Sequence, residues 1–328
     1  MKRFFSLLLL MFLVLPAVSH AADAPSFAEM RTKAEQGNAV AQYNLGVMYD
    51  EGQGVTRDYA EAVKWFRKAA EQGYAMAQYN LGAMYGNGHG VTRDYETAYI
   101  WFARAAAQGN AAAQFNLGVM YANGQGVTRD YAEALKWTRK AAEQGDANAQ
   151  DVLGMYYISQ GVAQDDSEAL KWFRKAAEQG YAKAQYNLGL MYAKGRGLVK
   201  DYAEAAKWFR KAAEQGDADA QLNLGVMYDE GQGVTRDDAE AVKWYRKAAE
   251  QGDAKAQYNL GVMYGKGQGV TRDYEKAYIW FARAAAQGNE NASKGLDITE
   301  KTLTPEQLAR AQRAASQPLN PAPKDPSP

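Results

Sequence analysis

A chain of 328 residues with 38 basic and 38 acidic side chains offers no charge excess for a nucleic-acid backbone or an anionic membrane surface to act on. It has no cysteine and two histidines, which excludes disulfide staples and leaves zinc sites, Cys–His pairs and Ser–His–Asp triads almost without material. Hydrophobic residues make up 47% of the chain and recur at a fixed interval, the mark of a repeat array, which need not be limited by one compact core.

The N-terminus reads as an export signal. Lys2 and Arg3 form a positive start, Phe4 to Leu15 is an apolar run, and Ser19-His20-Ala21 supplies small residues for cleavage before Ala22. The run falls short of the ~20 residues a membrane span needs, so no stable membrane insertion is expected after residues 1–21 are removed. No cysteine follows it to accept a lipid. Losing Lys2 and Arg3 leaves 36 basic against 38 acidic residues, a net charge of −2. The expected location is the periplasm or the outside medium.

Residues 22–37 form a linker and a capping helix that opens on the capping box Ser26-Phe27-Ala28-Glu29 and ends at Gly37. Seven units follow over residues 38–288. Leu45 recurs as Leu81, Leu117, Leu153, Leu188, Leu224 and Leu260, and Trp65 as Trp101, Trp137, Trp172, Trp208, Trp244 and Trp280. The step is 36 residues, with one of 35 in the fourth unit, where a loop residue is missing before Gly161. An eighth unit begins at Asn289, but Asp297 stands where the recurrent glycine should be and the pattern decays. Thr304-Pro305-Glu306-Gln307 starts a last helix, predicted to reach about Ser316, so residues 289–316 form a C-terminal cap. From Gln317 to Pro328 the proline-rich tail is expected to be disordered.

Each unit predicts two helices. Helix A starts from Asn38 or its equivalents, with Tyr74 and Tyr181 as poorer caps, and ends at Gly52 and Gly54. Helix B starts at Asp58, with Glu61 three residues on as a capping pair, and ends at Gly73. Arg67–Glu71 reads as an i, i+4 ion pair, and Arg57 as an ion-pair partner beside the Asp cap. Gly46 and its six equivalents sit in mid-helix, where glycine costs about 1 kcal/mol against alanine. Their retention predicts a notch for bulk from helix B, assigned to the tryptophan.

The pattern Ala-x-x-Leu-Gly-x-x-Tyr, Gly-x-Gly-Val, Ala-x-x-Trp-x-x-x-Ala-Ala-x-x-Gly resembles the Sel1-like repeat, a relative of the tetratricopeptide repeat, over residues 38–288. Leu303 to Gln307 resembles the terminal cap of such proteins. The resemblance implies an all-α fold, a right-handed α/α superhelix (solenoid) of seven helix-turn-helix repeats with capping helices. It implies protein binding, often as an adaptor in bacterial envelopes or at host surfaces, with helix A lining the concave wall. Unit four departs most from the pattern, with Asp151 and Val152 in place of Tyr-Asn.

At about 100° per residue, positions 40, 44, 47 and 51 share the side of helix A opposite its apolar face. This stripe is the expected partner surface. Its candidate residues are Asn44, Asn80, Asn116, Asn187, Asn223 and Asn259, with Met76 in the early repeats and Lys183, Lys194, Asp219, Glu230, Lys255 and Lys266 in the late ones. The first three units are mostly apolar plus Asn, with Glu51 the exception, and the last three alternate basic, acidic, basic. The asparagines have two readings: amides that grip an extended peptide, or side chains that bond between adjacent repeats. Residues 99–110 recur identically as 278–289, which points to duplication.

No catalytic residue, cofactor or metal is expected. The Gly-x-Gly turns lack the Gly-Lys-Ser/Thr of a phosphate loop. Ser-x-x-Lys and Lys-Thr-Gly, which penicillin-directed chemistry uses, are also missing. The expected function is an exported scaffold or adaptor, a monomer with a protein or peptide partner and no nucleic acid. The rival readings are an envelope enzyme acting on β-lactams or peptidoglycan, and a structural spacer.

Overall fold

The computed structural model describes residues 26–159 and 164–319. The leader with its cleavage site, the loop at Gly161 and the tail from residue 320 lie outside the described residues. Among the described residues every regular element is an α-helix. The chain divides into two compact units, residues 1–163 and 164–328. The first holds α1 (Phe27–Glu35), α2 (Ala39–Glu51), α3 (Tyr59–Glu71), α4 (Ala75–Asn87), α5 (Tyr95–Ala107), α6 (Ala111–Asn123), α7 (Tyr131–Glu143) and α8 (Ala147–Ile158). The second holds α9 (Asp166–Glu178), α10 (Ala182–Lys194), α11 (Tyr202–Glu214), α12 (Ala218–Glu230), α13 (Asp238–Glu250), α14 (Ala254–Lys266), α15 (Tyr274–Ala286), α16 (Glu290–Thr302) and α17 (Pro305–Ser316). Within each unit consecutive helices pack on one another up to α16, a solenoid arrangement, and α17 packs mainly on α15.

Local chemistry sets the helix ends. The Asn38 side chain accepts from the Ala41 amide at 2.8 Å, whereas Tyr74 and Tyr181 make no side-chain cap bond. Asp58 accepts from the amides of Ala60 and Glu61 at 2.9 and 3.0 Å. Glu61 does not reach back to complete a reciprocal box: its carboxylate is taken by Lys64 at 2.5 Å. Helix B ends when Gly73, at φ 89°, lets the Tyr74 amide return to the Ala69 carbonyl.

Inside a repeat, the notch holds a phenylalanine, not the tryptophan. A Cβ on Gly46 would stand 2.6 Å from the Phe66 ring, and Gly82, Gly189 and Gly261 face Phe102, Phe209 and Phe281 as closely. Trp65 points the other way, into a cluster with Met30, Ala34, Ala41 and Leu45. Trp101 packs onto the repeat 1 cluster and Trp137 onto that of repeat 2. Helix B thus carries two aromatic stripes: phenylalanine closes its own repeat and tryptophan closes the seam to the preceding one. A lysine or arginine three residues on covers the outer edge of each indole, with Lys68 4.2 Å from the Trp65 ring centroid.

Three further expectations are corrected, the first by a partner distant in sequence. Arg67 leaves Glu71 and donates to the Tyr85 hydroxyl of the next repeat at 2.5 Å, and Arg246 reaches Tyr264 at 2.7 Å in the same way. Arg57 lies 5.9 Å from the Tyr59 ring centroid instead of pairing with Asp58. Where Asp238 replaces that tyrosine, Arg236 forms the ion pair at 2.9 Å. The eighth helix A, despite Asp297, runs a full 13 residues as α16.

The second glycine of the Gly-x-Gly turn is held by more than its dihedral at Gly90, Gly126, Gly197, Gly233 and Gly269, whereas Gly54 meets only ordinary contacts. Gly126 has φ 67°, and a Cβ there would stand 2.1 Å from the Tyr95 carbonyl oxygen of the preceding repeat. Gly109 has φ 88° but open space around it. Gly109→Ala should therefore cost about 1 kcal/mol, for the left-handed backbone alone, and Gly126→Ala about 3 kcal/mol or more. Urea unfolding of the two variants checks the difference, and equal midpoints would refute the close approach.

Candidate interaction face

The packing of helix A decides which of its residues remain for a partner. Its inner side is closed by amides. Gln42 donates to the Ala34 carbonyl of the preceding helix at 3.1 Å and accepts from Gln72 of its own repeat at 2.7 Å. Gln78 repeats this with Ala70 and Gln108, and Gln221 with Ala213 and Gln251. The period placed these glutamines on the inward side, but only the fold shows what they bond.

The middle of the expected stripe is also drawn into the seams between repeats. Val47, Leu190, Val226 and Val262 are half-buried against neighbouring core clusters. Asn44, Asn80, Asn187, Asn223 and Asn259 are half-buried, and Asn116 is buried at 6% exposure under the Tyr79 contact, which corrects its place on a solvent stripe. The Asn80 amide acts on the Tyr43 hydroxyl of the preceding helix A, Asn116 on that of Tyr79, and Asn223 on that of Tyr186, each lowering the phenol's pKa. Burial raises the pKa of all three phenols, Tyr186 to about 12, and the donated amide works against that rise. Asn223 also donates to the Asp219 carbonyl at 2.8 Å.

This tyrosine–asparagine pairing changes jointly at two places along the chain. In repeat 3 the tyrosine is Phe115, and the position that would receive its hydroxyl is Val152 instead of Asn. In repeat 6 it is Leu222; Asn259 then acts on the Tyr245 hydroxyl, at a point of helix B where five repeats carry Phe and repeat 3 carries Thr138. In these two repeats the amide goes with the hydroxyl or the hydroxyl moves, whereas Asp151 precedes a retained Asn187 and Tyr258 precedes Gly295. Nothing in the sequence reading paired the tyrosines with the asparagines, although a constant spacing of 37 residues was there to be found.

What stays exposed are the two ends of the stripe, separated along each helix by about 16 Å at 1.5 Å per residue. In the first unit the N-terminal row has Val40 and Met76, 50% and 45% exposed, and the C-terminal row has Glu51, Asn87 and Asn123. In the second unit the N-terminal row reads Lys183, Asp219, Lys255, and the other Lys194, Glu230, Lys266; all six are exposed. The ion pairs of this unit lie on helix B, its caps and the turns, such as Lys207–Glu204 and Lys243–Glu240, and leave both rows without one. Among the described residues no cluster of three or more His, Cys, Asp or Glu is placed to hold a metal ion, and no helix is long and apolar enough to cross a membrane. His89 stacks on Tyr59 at 5.1 Å between ring centroids.

The Sel1 repeat model matches seven consecutive segments, residues 39–74, 75–110, 111–146, 147–181, 182–217, 218–253 and 254–289. The chain is similar to a Sel1 repeat protein from Oxalobacter formigenes of known crystal structure, with 40% identity and a TM-score of 0.69 over 83% of this chain and 79% of that one. It is 36% identical to a protective antigen of uropathogenic Escherichia coli that displays an SLR fold, over 88% of this chain and 78% of the other, with a TM-score of 0.44. No curated protein matches the chain.

If Asn80 belongs to the seam, Tyr43→Phe and Asn80→Ala should couple. A double-mutant cycle should give an interaction of about 0.5–1.5 kcal/mol. Strict additivity would release the amide for a ligand.

Proposed function

Because the chain belongs to the Sel1 repeat family, we propose that it is an exported scaffold that grips a protein or peptide partner along the exposed rows of its helices A. Repeats of this class generally mediate protein–protein interaction, and Sel1 scaffolds are typically non-catalytic. One observation carries the choice of surface. Most other recurrent polar groups are spent on a helix end, on their own helix or on a neighbouring repeat, whereas six charged residues of the second unit alternate in sign without intramolecular ion partners among the described residues. A partner with a complementary acidic–basic–acidic order would meet Lys183, Asp219 and Lys255 in register, and alternation of that kind selects against shifted or uniformly charged competitors. Val40 and Met76 offer the first unit's partner segment an apolar surface.

Export rests on Lys2, Arg3, the apolar run to Leu15 and the small residues before Ala22. The partner then lies in the bacterial envelope or on a host cell. Cell fractionation tests this: a chain that stays in the cytosol with residues 1–21 intact removes the export reading.

Crosslinking mass spectrometry against envelope and host-membrane extracts should place partner crosslinks at Lys183, Lys194, Lys255 and Lys266. For a captured partner, Lys183→Glu combined with Lys255→Glu should weaken binding at least tenfold at low salt, with the deficit shrinking as salt rises. Unchanged affinity and salt dependence would move the binding surface elsewhere.

A further inference from the structure

Residues 91–110 of repeat 2 and 270–289 of repeat 7 are identical except for Thr97 against Lys276. Both segments differ from the other repeats on the outer face of helix B. Elsewhere that face carries Lys64, Arg67 and Lys68 or their equivalents, whereas repeat 2 has Ile100, Ala103 and Arg104, and repeat 7 has Ile279, Ala282 and Arg283.

In repeat 7 this face has an occupant, the helix α17. Arg310 of α17 holds Glu275 through two hydrogen bonds, at 2.7 and 3.2 Å. Arg283 donates to the carbonyls of Ala314 and Gln317 at 3.2 and 3.1 Å, closing the C-terminal end of α17, where carbonyls lack helical partners. The two contacts run in the same order along both helices, so α17 lies alongside α15 in a parallel sense. Between them Ala311 of α17 is buried, Tyr278 is buried and Ile279 is half-buried.

Repeat 2 presents the same set with that covering removed. Glu96 and Arg104 are exposed, Ile100 is 48% exposed and Tyr99 is half-buried. The next helix B, α7, contributes Trp137 to the seam but leaves these residues open. An isoleucine in place of the usual lysine on a solvent face gains nothing for the fold. Beside a matched acid and base, it constitutes half of a helix–helix contact whose other half is visible elsewhere in the same chain.

We propose that the outer face of α5, centred on Glu96, Ile100, Ala103 and Arg104, is a second docking seat, and that its occupant is a short amphipathic helix of a partner protein. That helix has the chemistry of α17: an arginine to pair with Glu96, a stripe of alanine and leucine such as Leu308, Ala311 and Ala315, and a C-terminal end whose carbonyls receive Arg104. The chain's own α17 is not the occupant. It follows α16 through Leu303 and Thr304 alone, so its local concentration at the repeat 7 seat far exceeds that of any second copy. This seat lies on helix B and is independent of the helix-A rows.

The probe is a fluorescent synthetic peptide of residues 303–319, titrated against the full chain by anisotropy. Saturable binding is expected, at least tenfold weaker with Ile100→Glu, and weaker again with Arg104→Ala, the milder change; circular dichroism shows that both variants keep their helices. Glu96→Arg should lose the peptide, and a peptide carrying Arg310→Glu should regain it. Lack of binding, or binding indifferent to Ile100→Glu and Arg104→Ala, overturns the seat. A loss produced by Glu275→Arg instead of Glu96→Arg means that the peptide merely exchanges with α17, and also overturns it. Concentration-dependent self-association abolished by Ile100→Glu would make a second copy the occupant and overturn the assignment to a partner.

Discussion

A glutamine that cannot be satisfied within its own repeat governs this fold. Gln42 and its equivalents are buried, and a buried amide left without partners costs about 1–3 kcal/mol. Each finds its acceptor on the last turn of the preceding helix B and its donor on the C-cap glutamine of its own helix B. The bond therefore joins three helices from two repeats. Tryptophan does the same with apolar surface, since its indole lies on the neighbour's core. A single repeat would expose both, so stability is a property of adjacent pairs, as expected of a one-dimensional array.

That constraint also decides which residues remain for recognition. Positions that recur unchanged, such as Gln42 and Trp65, are those that neighbours consume. Positions that vary between repeats, such as 40 and 51 on helix A or 64 on helix B, are released from the seam. Recurrence and function thus separate: the surface specific to this protein lies where its repeats disagree. The joint change of Phe115 with Val152, and of Leu222 with Tyr245, shows the seam answering two internal substitutions.

Element existence, helix caps and the turn glycines were legible in the sequence because each depends on residues within four positions of one another. The errors fall where the partner is a repeat away. Phenylalanine and tryptophan are adjacent and equally periodic, so periodicity alone did not show which fills the Gly46 notch and which crosses the seam. Arg67 stands four residues from Glu71, and a helix reading favours that pair, but Tyr85 lies nearer once the next helix is in place. Asn116 looked exposed on a wheel of one helix because a wheel omits the neighbouring Tyr79.

The two ends of the array show the constraint being relieved. At the start, α1 supplies Met30 and Ala34 to Trp65 and the Ala34 carbonyl to Gln42, so the first repeat meets an ordinary neighbour. At the other end, α16 keeps the length of a helix A but lacks the groups that would require a further repeat. Ser293 stands for the glutamine, Lys294 for the tyrosine and Gly295 for the asparagine, while Leu296 keeps its place in the core. Gly295 instead presses against the Phe281 ring, with a Cβ position 2.9 Å away. With no amide or hydroxyl left to satisfy, no helix B is needed against α16, and α17 is free to fold back onto α15. The array ends because its last helix makes no hydrogen-bonding demand, and the face that α17 then covers is the one that repeat 2 leaves open.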